Sequence, residues 1–193
     1  MAGRVILIGY RGTGKSTVGR LVASRLGWDF ADADEYLESA AGRSIAEVFA
    51  SEGEAGFRDR ESAVLSQLCG RDRLVIATGG GAVLRPANRT LLRSAGFVAW
   101  LTASPAVLWD RLRADPASGR RRPNLTPAGG LDEVRTLLAA RTPLYAELAD
   151  FVCDTETLSP HAAADAILTA WRTWRTGSHC RSCSGAAGPS SSA

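Results

Sequence analysis

The residues Gly9-Tyr-Arg-Gly-Thr-Gly14-Lys15-Ser16 follow the spacing G-x-x-x-x-G-K-[ST], which suits the phosphates of a nucleoside triphosphate. The glycines let successive backbone N–H groups converge on phosphate oxygens, and a helix opening at the loop adds the positive end of its dipole. Lys15 is then placed to reach the β- and γ-phosphates, and the Ser16 hydroxyl to ligate Mg²⁺. Lys15 is the chain's one lysine beside 22 arginines. A compact ammonium on a slim stem threads a narrow loop and meets phosphate as a point charge, which a planar guanidinium does less well. The alternative is a chance glycine turn. A buried strand before the loop and a helix after it, both expected here, favour the phosphate site.

Three further groups could act beside it. Asp32-Ala-Asp34 closes a predicted strand, so both carboxylates could face one crevice. One would hold a magnesium water shell and the other orient a substrate hydroxyl. The competing reading has Asp34 as the N-cap of a helix over 35–41. Thr78-Gly79-Gly80-Gly81 follows another buried strand. A plain strand-to-helix connection does not need three glycines, and close approach of a small polar ligand to the backbone does. The stretch from Asp115 to Gly130 holds Gly119, Arg120, Arg121, Arg122, Pro123, Pro127 and Gly129. A loop of this length and charge in a compact domain is commonly functional. Arg58 and Arg141 are, by local pattern alone, solvated helix residues.

The elements that must position these groups alternate between strand and helix. Apolar runs at 4–8, 28–32, 74–77, 97–101 and 151–153 read as strands. Helical spacing appears over 15–26, 35–41, 56–68, 131–148 and 161–174. Ser44-Ile-Ala-Glu47 is a capping box, and Ser104-Pro105 and Ser159-Pro160 each pair an N-cap with proline at the first helical position. Repeated βα alternation implies a parallel sheet covered on both faces, with ligands at the carboxyl ends of its strands.

Composition sets the outer limits. A chain of 193 residues with 45% hydrophobic content can bury one core. A net charge of +3 is too small to argue for nucleic acid. No apolar run approaches the roughly 20 residues of a membrane span, and the short N-terminal one leads into the glycine loop instead of a cleavage site. The expectation is a cytoplasmic monomer that meets neither membrane nor nucleic acid. Cys69 and Cys153 read as buried thiols. Cys180 and Cys183 lie with His179 in a low-complexity tail over 176–193, without a second pair to complete a metal site. The folded domain is expected over 1–175.

In order and register, the motifs of residues 4–170 resemble the shikimate kinase family. They are Gly9 to Gly19, Asp32-Ala-Asp34, Gly42-Arg-Ser-Ile-Ala-Glu-Val-Phe49, Gly53-Glu-x-x-Phe57-Arg58-x-x-Glu61, Gly79-Gly-Gly-Ala-Val83, Arg122-Pro123 and Arg141-x-Pro-Leu-Tyr145. The resemblance implies a three-layer α/β P-loop fold with a five-stranded parallel sheet and a mobile arginine-rich lid at about 113–130. It implies ATP and shikimate as substrates and one Mg²⁺ ion held through Ser16 and, via water, Asp32. It assigns ATP to Gly12, Thr13, Gly14, Lys15, Ser16, Thr17, Arg113, Arg122 and Pro160. Shikimate falls to Asp34, Arg58, Gly79, Gly80, Gly81 and Arg141, with Glu61 holding Arg58. Lys15, Asp34 and Arg122 become the catalytic groups. The family's lid usually reads Arg-Pro-Leu-Leu, whereas this chain has Arg122-Pro-Asn124-Leu125; the register among Arg120, Arg121 and Arg122 stays open, with Pro123 favouring Arg122. Gluconate kinase is the nearest rival enzyme, and a nucleotide-binding module without catalysis is the rival of another class.

Overall fold

The computed structural model describes residues 3–114 and 130–177. Arg120, Arg121 and Arg122 of the expected lid lie outside the described residues, as do His179, Cys180 and Cys183 of the tail. The described strands are β1 (Arg4–Ile8), β2 (Asp29–Asp32), β3 (Leu74–Ala77), β4 (Phe97–Thr102) and β5 (Phe151–Asp154). They form one parallel sheet in the order β2-β3-β1-β4-β5. The helices are α1 (Lys15–Leu26), α2 (Ala33–Ala41), α3 (Ile45–Cys69), α4 (Pro86–Ala95), α5 (Pro105–Ala114), α6 (Gly130–Leu148) and α7 (Pro160–Thr176).

The central strand explains the layering. Its side chains alternate between faces, and Val5, Ile6, Leu7 and Ile8 are all fully buried. Val5 and Leu7 pack with Val18 and Val22 of α1 and Ile167 of α7. Ile6 and Ile8 pack on the opposite side with Leu37, Leu65, Leu68 and Leu92. A strand apolar on both faces stabilises the fold only when helices cover both. A third cluster, Tyr10, Ala103, Leu108 and Val134, joins α5 and α6 to the loop after β1.

Three local outcomes differ from the sequence reading. The capping box does form, with Ser44 Oγ accepting from the Glu47 amide and Glu47 accepting from the Ser44 amide. The helix it opens, however, runs on to Cys69 across a break at Gly53, where φ is 69°. A side chain there would strain the backbone, so glycine permits the bend that brings Arg58 round. Helix α4 has no counterpart in the sequence reading, although Pro86 at its first turn is a recognised start signal. Finally, β2 ends at Asp32 and Asp34 already belongs to α2. The strand-alternation argument for the two carboxylates therefore fails. The helix cap is Asp32, not Asp34: its Oδ1 accepts from the amides of Asp34 at 3.0 Å and Glu35 at 3.5 Å.

Candidate active site

The loop between β1 and α1 is held open by backbone geometry. Gly9 has φ 139°, and a Cβ there would stand 2.3 Å from the Leu101 carbonyl oxygen. Glycine is thus required both for conformation and for the approach to β4. Gly14 caps α1 without any side-chain hydrogen bond to the helix amides. Lys15 is buried in the loop, its Nζ donating to the carbonyls of Gly9 at 2.9 Å and Tyr10 at 2.8 Å. Thr13 Oγ1 donates to the Tyr10 carbonyl at 2.8 Å, which tightens the same turn.

Ser16 Oγ donates to Asp32 Oδ2 at 2.5 Å. One carboxylate thus serves two elements, since its other oxygen caps α2. Ser16 and Asp32 together present hard oxygen donors beside the phosphate loop, the donor type that Mg²⁺ takes. Among the described residues no group of three or more His, Cys, Asp or Glu gathers as a metal cage. An ion held here would therefore share its shell with substrate phosphates and water, as Mg²⁺ usually does. Thr17 is exposed on the first turn of α1.

Across the carboxyl ends of the strands, Gly79, Gly80 and Gly81 form a buried turn after β3. Tyr145 Oη of α6 donates to the Gly80 carbonyl at 2.6 Å and its ring stacks on Trp100. Arg58 lies against Gly81 so closely that a Cβ there would fall 2.5 Å from Nη1. It is 7% exposed, donates to Glu61 Oε2 at 2.7 Å, and reaches Glu54 at 3.4 Å. Glu61 thus holds Arg58, as the resemblance implies. Arg141 is also 7% exposed and stands 5.7 Å from the Tyr10 ring centroid. No described carboxylate pairs with it. Burying a guanidinium without a counter-ion is costly, and here the cost falls beside the Tyr10 ring of the phosphate loop. Asp34 is half-buried in the first turn of α2.

On the other side of the phosphate loop, two arginines of α5 stand in different surroundings. Arg113 is exposed and has no hydrogen-bond partner among the described residues. Arg111, one position before Leu112, contacts the Gly12 carbonyl at 3.4 Å and donates to Thr155 O at 2.6 Å and Thr155 Oγ1 at 3.1 Å. Sequence reasoning passed over Arg111 because two arginines of equal type sit two apart on one helix. Pro160 opens α7 behind the Ser159 cap, and Leu158 before it is exposed. The Arg11–Glu133 ion pair was also missed, since nothing local links residues so far apart.

The family profile of shikimate kinase matches residues 11–172. The chain belongs to the shikimate kinase family. It is a kinase of the ATP-dependent phosphotransferase type. A shikimate kinase of Rhodopirellula baltica is 47% identical over 163 residues, covering 84% of this chain and 85% of the relative. That of Symbiobacterium thermophilum is 50% identical over 145 residues, 75% of this chain and 82% of the relative. Among solved structures, the shikimate kinase of Acinetobacter baumannii in complex with shikimate superposes with TM-score 0.81 at 37% identity, over 88% of this chain and 92% of that one. A gluconokinase of Sinorhizobium meliloti, at 18% identity and TM-score 0.56 over 92% of this chain and 98% of that one, shares the fold alone. The expected α/β sheet with its helices on both faces is therefore that of the shikimate kinase family. No described helix is long and apolar enough to cross a membrane.

Proposed function

We propose that this chain transfers the γ-phosphoryl group of ATP to the 3-hydroxyl of shikimate, giving ADP and shikimate 3-phosphate. The observation that carries this reading is the pair of buried guanidiniums, Arg58 against the triple-glycine turn and Arg141 against Tyr10, whose backbone borders the same turn. Two forked cations suit one carboxylate of a small hydroxy-acid. The A. baumannii enzyme, solved with shikimate, supports the same acceptor.

ATP phosphates would lie over the amides of Gly12, Thr13, Gly14, Lys15, Ser16 and Thr17. The Lys15 ammonium, now on the Gly9 and Tyr10 carbonyls, would exchange these for anionic oxygens. Ser16, and Asp32 through water, would hold Mg²⁺, which supplies charge neutralisation on the phosphates when bound. Asp34 would accept a hydrogen bond from the acceptor hydroxyl and orient it for in-line attack. Gly79, Gly80 and Gly81 let the ring approach the backbone, and Arg122 would place positive charge on the transferring group. The adenine side would fall to Arg113, exposed at the end of α5, together with the segment at Pro160, while Arg111 braces α5 against Gly12 and Thr155. The catalytic unit is proposed to span 1–175, with Thr176 closing α7, and to act as a monomer in the cytoplasm.

A coupled assay of ADP release tests the acceptor, comparing shikimate with gluconate, quinate and no acceptor. Release that depends on shikimate alone is expected. Equal release without an acceptor would reject the reading.

A further inference from the structure

The dipeptide Tyr10-Arg11 within the phosphate loop touches α6 at two places eight residues apart. Arg11 Nη2 donates to Glu133 Oε1 at 2.9 Å in the first turn of α6. Glu133 is 1% exposed, whereas Arg11 is 24% exposed. Further along the helix, Arg141 stands 5.7 Å from the buried Tyr10 ring, with Arg11 at 5.9 Å from that ring. Positions 133, 137 and 141 follow the i, i+4, i+8 row of a helix, roughly 12 Å of rise. The Arg11 amide also borders the acceptor turn, lying 3.4 Å from where a Gly80 side chain would begin.

A carboxylate this buried is retained at a desolvation cost that only a close counter-charge offsets. The helix N-terminus favours it further. Apolar packing of Tyr10, Leu108 and Val134 already holds α6 against the loop. That packing is non-directional, and the Tyr145–Gly80 hydrogen bond registers the C-terminal half of α6, so the N-terminal half needs its own hold against sliding along the helix axis. A charged hydrogen bond at 2.9 Å is directional and fixes that coordinate.

We propose that Arg11 is a positioning residue for the acceptor site, acting through Glu133 to set Arg141 over Tyr10, whose backbone borders the triple-glycine turn. Arg11 is thereby held by Glu133 at the helix start, so the nucleotide loop and the acceptor's carboxylate site share one rigid link. The inference rests on the proposed reaction with shikimate.

The test uses the full chain with Arg11→Met, which keeps the apolar stem and removes the charge, and with Glu133→Gln. The Michaelis constants for shikimate and ATP are measured separately, with kcat and the thermal midpoint. The shikimate KM is expected to rise about tenfold in both variants, with the ATP KM changing less than about twofold. Arg11→Lys, which retains the charge, is expected to return the shikimate KM to within about threefold of the parent. A parallel rise in both constants would make Arg11 a phosphate contact and overturn the proposal. Unchanged constants in a folded Arg11→Met would overturn it equally, and that variant decides alone if Glu133→Gln does not fold. Failure of the parent chain to use shikimate would instead reject the reaction itself.

Discussion

Replacing Gly81 by alanine should damage acceptor use while sparing ATP binding. The added Cβ would stand 2.5 Å from Arg58 Nη1, 2.6 Å from Nη2 and 2.9 Å from Cζ. Heavy atoms in favourable contact lie at about 3.5 Å, so the guanidinium must withdraw by about 1 Å. It has little room to do so. Arg58 is buried, packs beside the Phe57 ring, and donates to a Glu61 that is itself buried. A shift of that size directed away from Glu61 stretches the 2.7 Å bond to about 3.7 Å, beyond hydrogen-bond range. A charged hydrogen bond of this kind contributes about 1.5–3 kcal/mol. Misplacing a substrate-positioning group by about 1 Å costs about 10²-fold. Gly81 is not in the left-handed region, so backbone strain adds nothing. The expected result is a fall of about 30- to 100-fold in kcat/KM for shikimate, or about 2–3 kcal/mol. ADP release gives kcat/KM, and calorimetric titration gives an ATP dissociation constant expected to stay within about twofold. A loss under about threefold, or an equal loss of ATP affinity, would refute the reasoning.

Asp34→Asn keeps the shape of the side chain and removes its charge; turnover should fall by at least about 10²-fold with ATP affinity retained. If ATP binding collapses equally in titration, Asp34 serves the nucleotide or the fold and not the acceptor hydroxyl. Ser44→Ala removes one half of a capping box. The Ser44 hydroxyl and amide hold the Glu47 carboxyl below its ordinary value of 4.5. That contribution is complete above the unfolded pKa and is lost as pH falls through the lowered folded value. The thermal midpoint should therefore drop more for this variant at pH 7 than at pH 3, and an equal drop at both would contradict the assignment.

The sheet was legible because its signals are local. The buried strand before Gly9, the helix after Gly14, and Ser-Pro at Ser104 and Ser159 each carry their own physical cause, and each stands where expected. Cys69 and Cys153 are buried as expected, and burial pushes both thiols up to about 11. What the sequence could not reveal depends on the closing of long loops. Asp32 and Asp34 look alike in a D-x-D segment, and only the observed end of β2 makes Asp32 the cap and Ser16 partner. Arg111 and Arg113 are equivalent until α5 packs against Gly12 and Thr155. Arg11 and Glu133 are 122 residues apart, and Tyr145 and Gly80 are 65 apart; no periodicity encodes such contacts. Arg58 and Arg141 came forward through family resemblance alone, and their burial supplies the physical reason for it.

The central claim is that two buried guanidiniums recognise a carboxylate on the acceptor. Shikimate and its methyl ester share every ring hydroxyl and differ in that charge. Their kcat/KM values, measured side by side by ADP release, test the claim most directly. Removing the partner of a buried charge costs about 3–5 kcal/mol, so shikimate should be preferred by about 150- to 5,000-fold. Preference within about threefold would show that Arg58 and Arg141 serve another purpose.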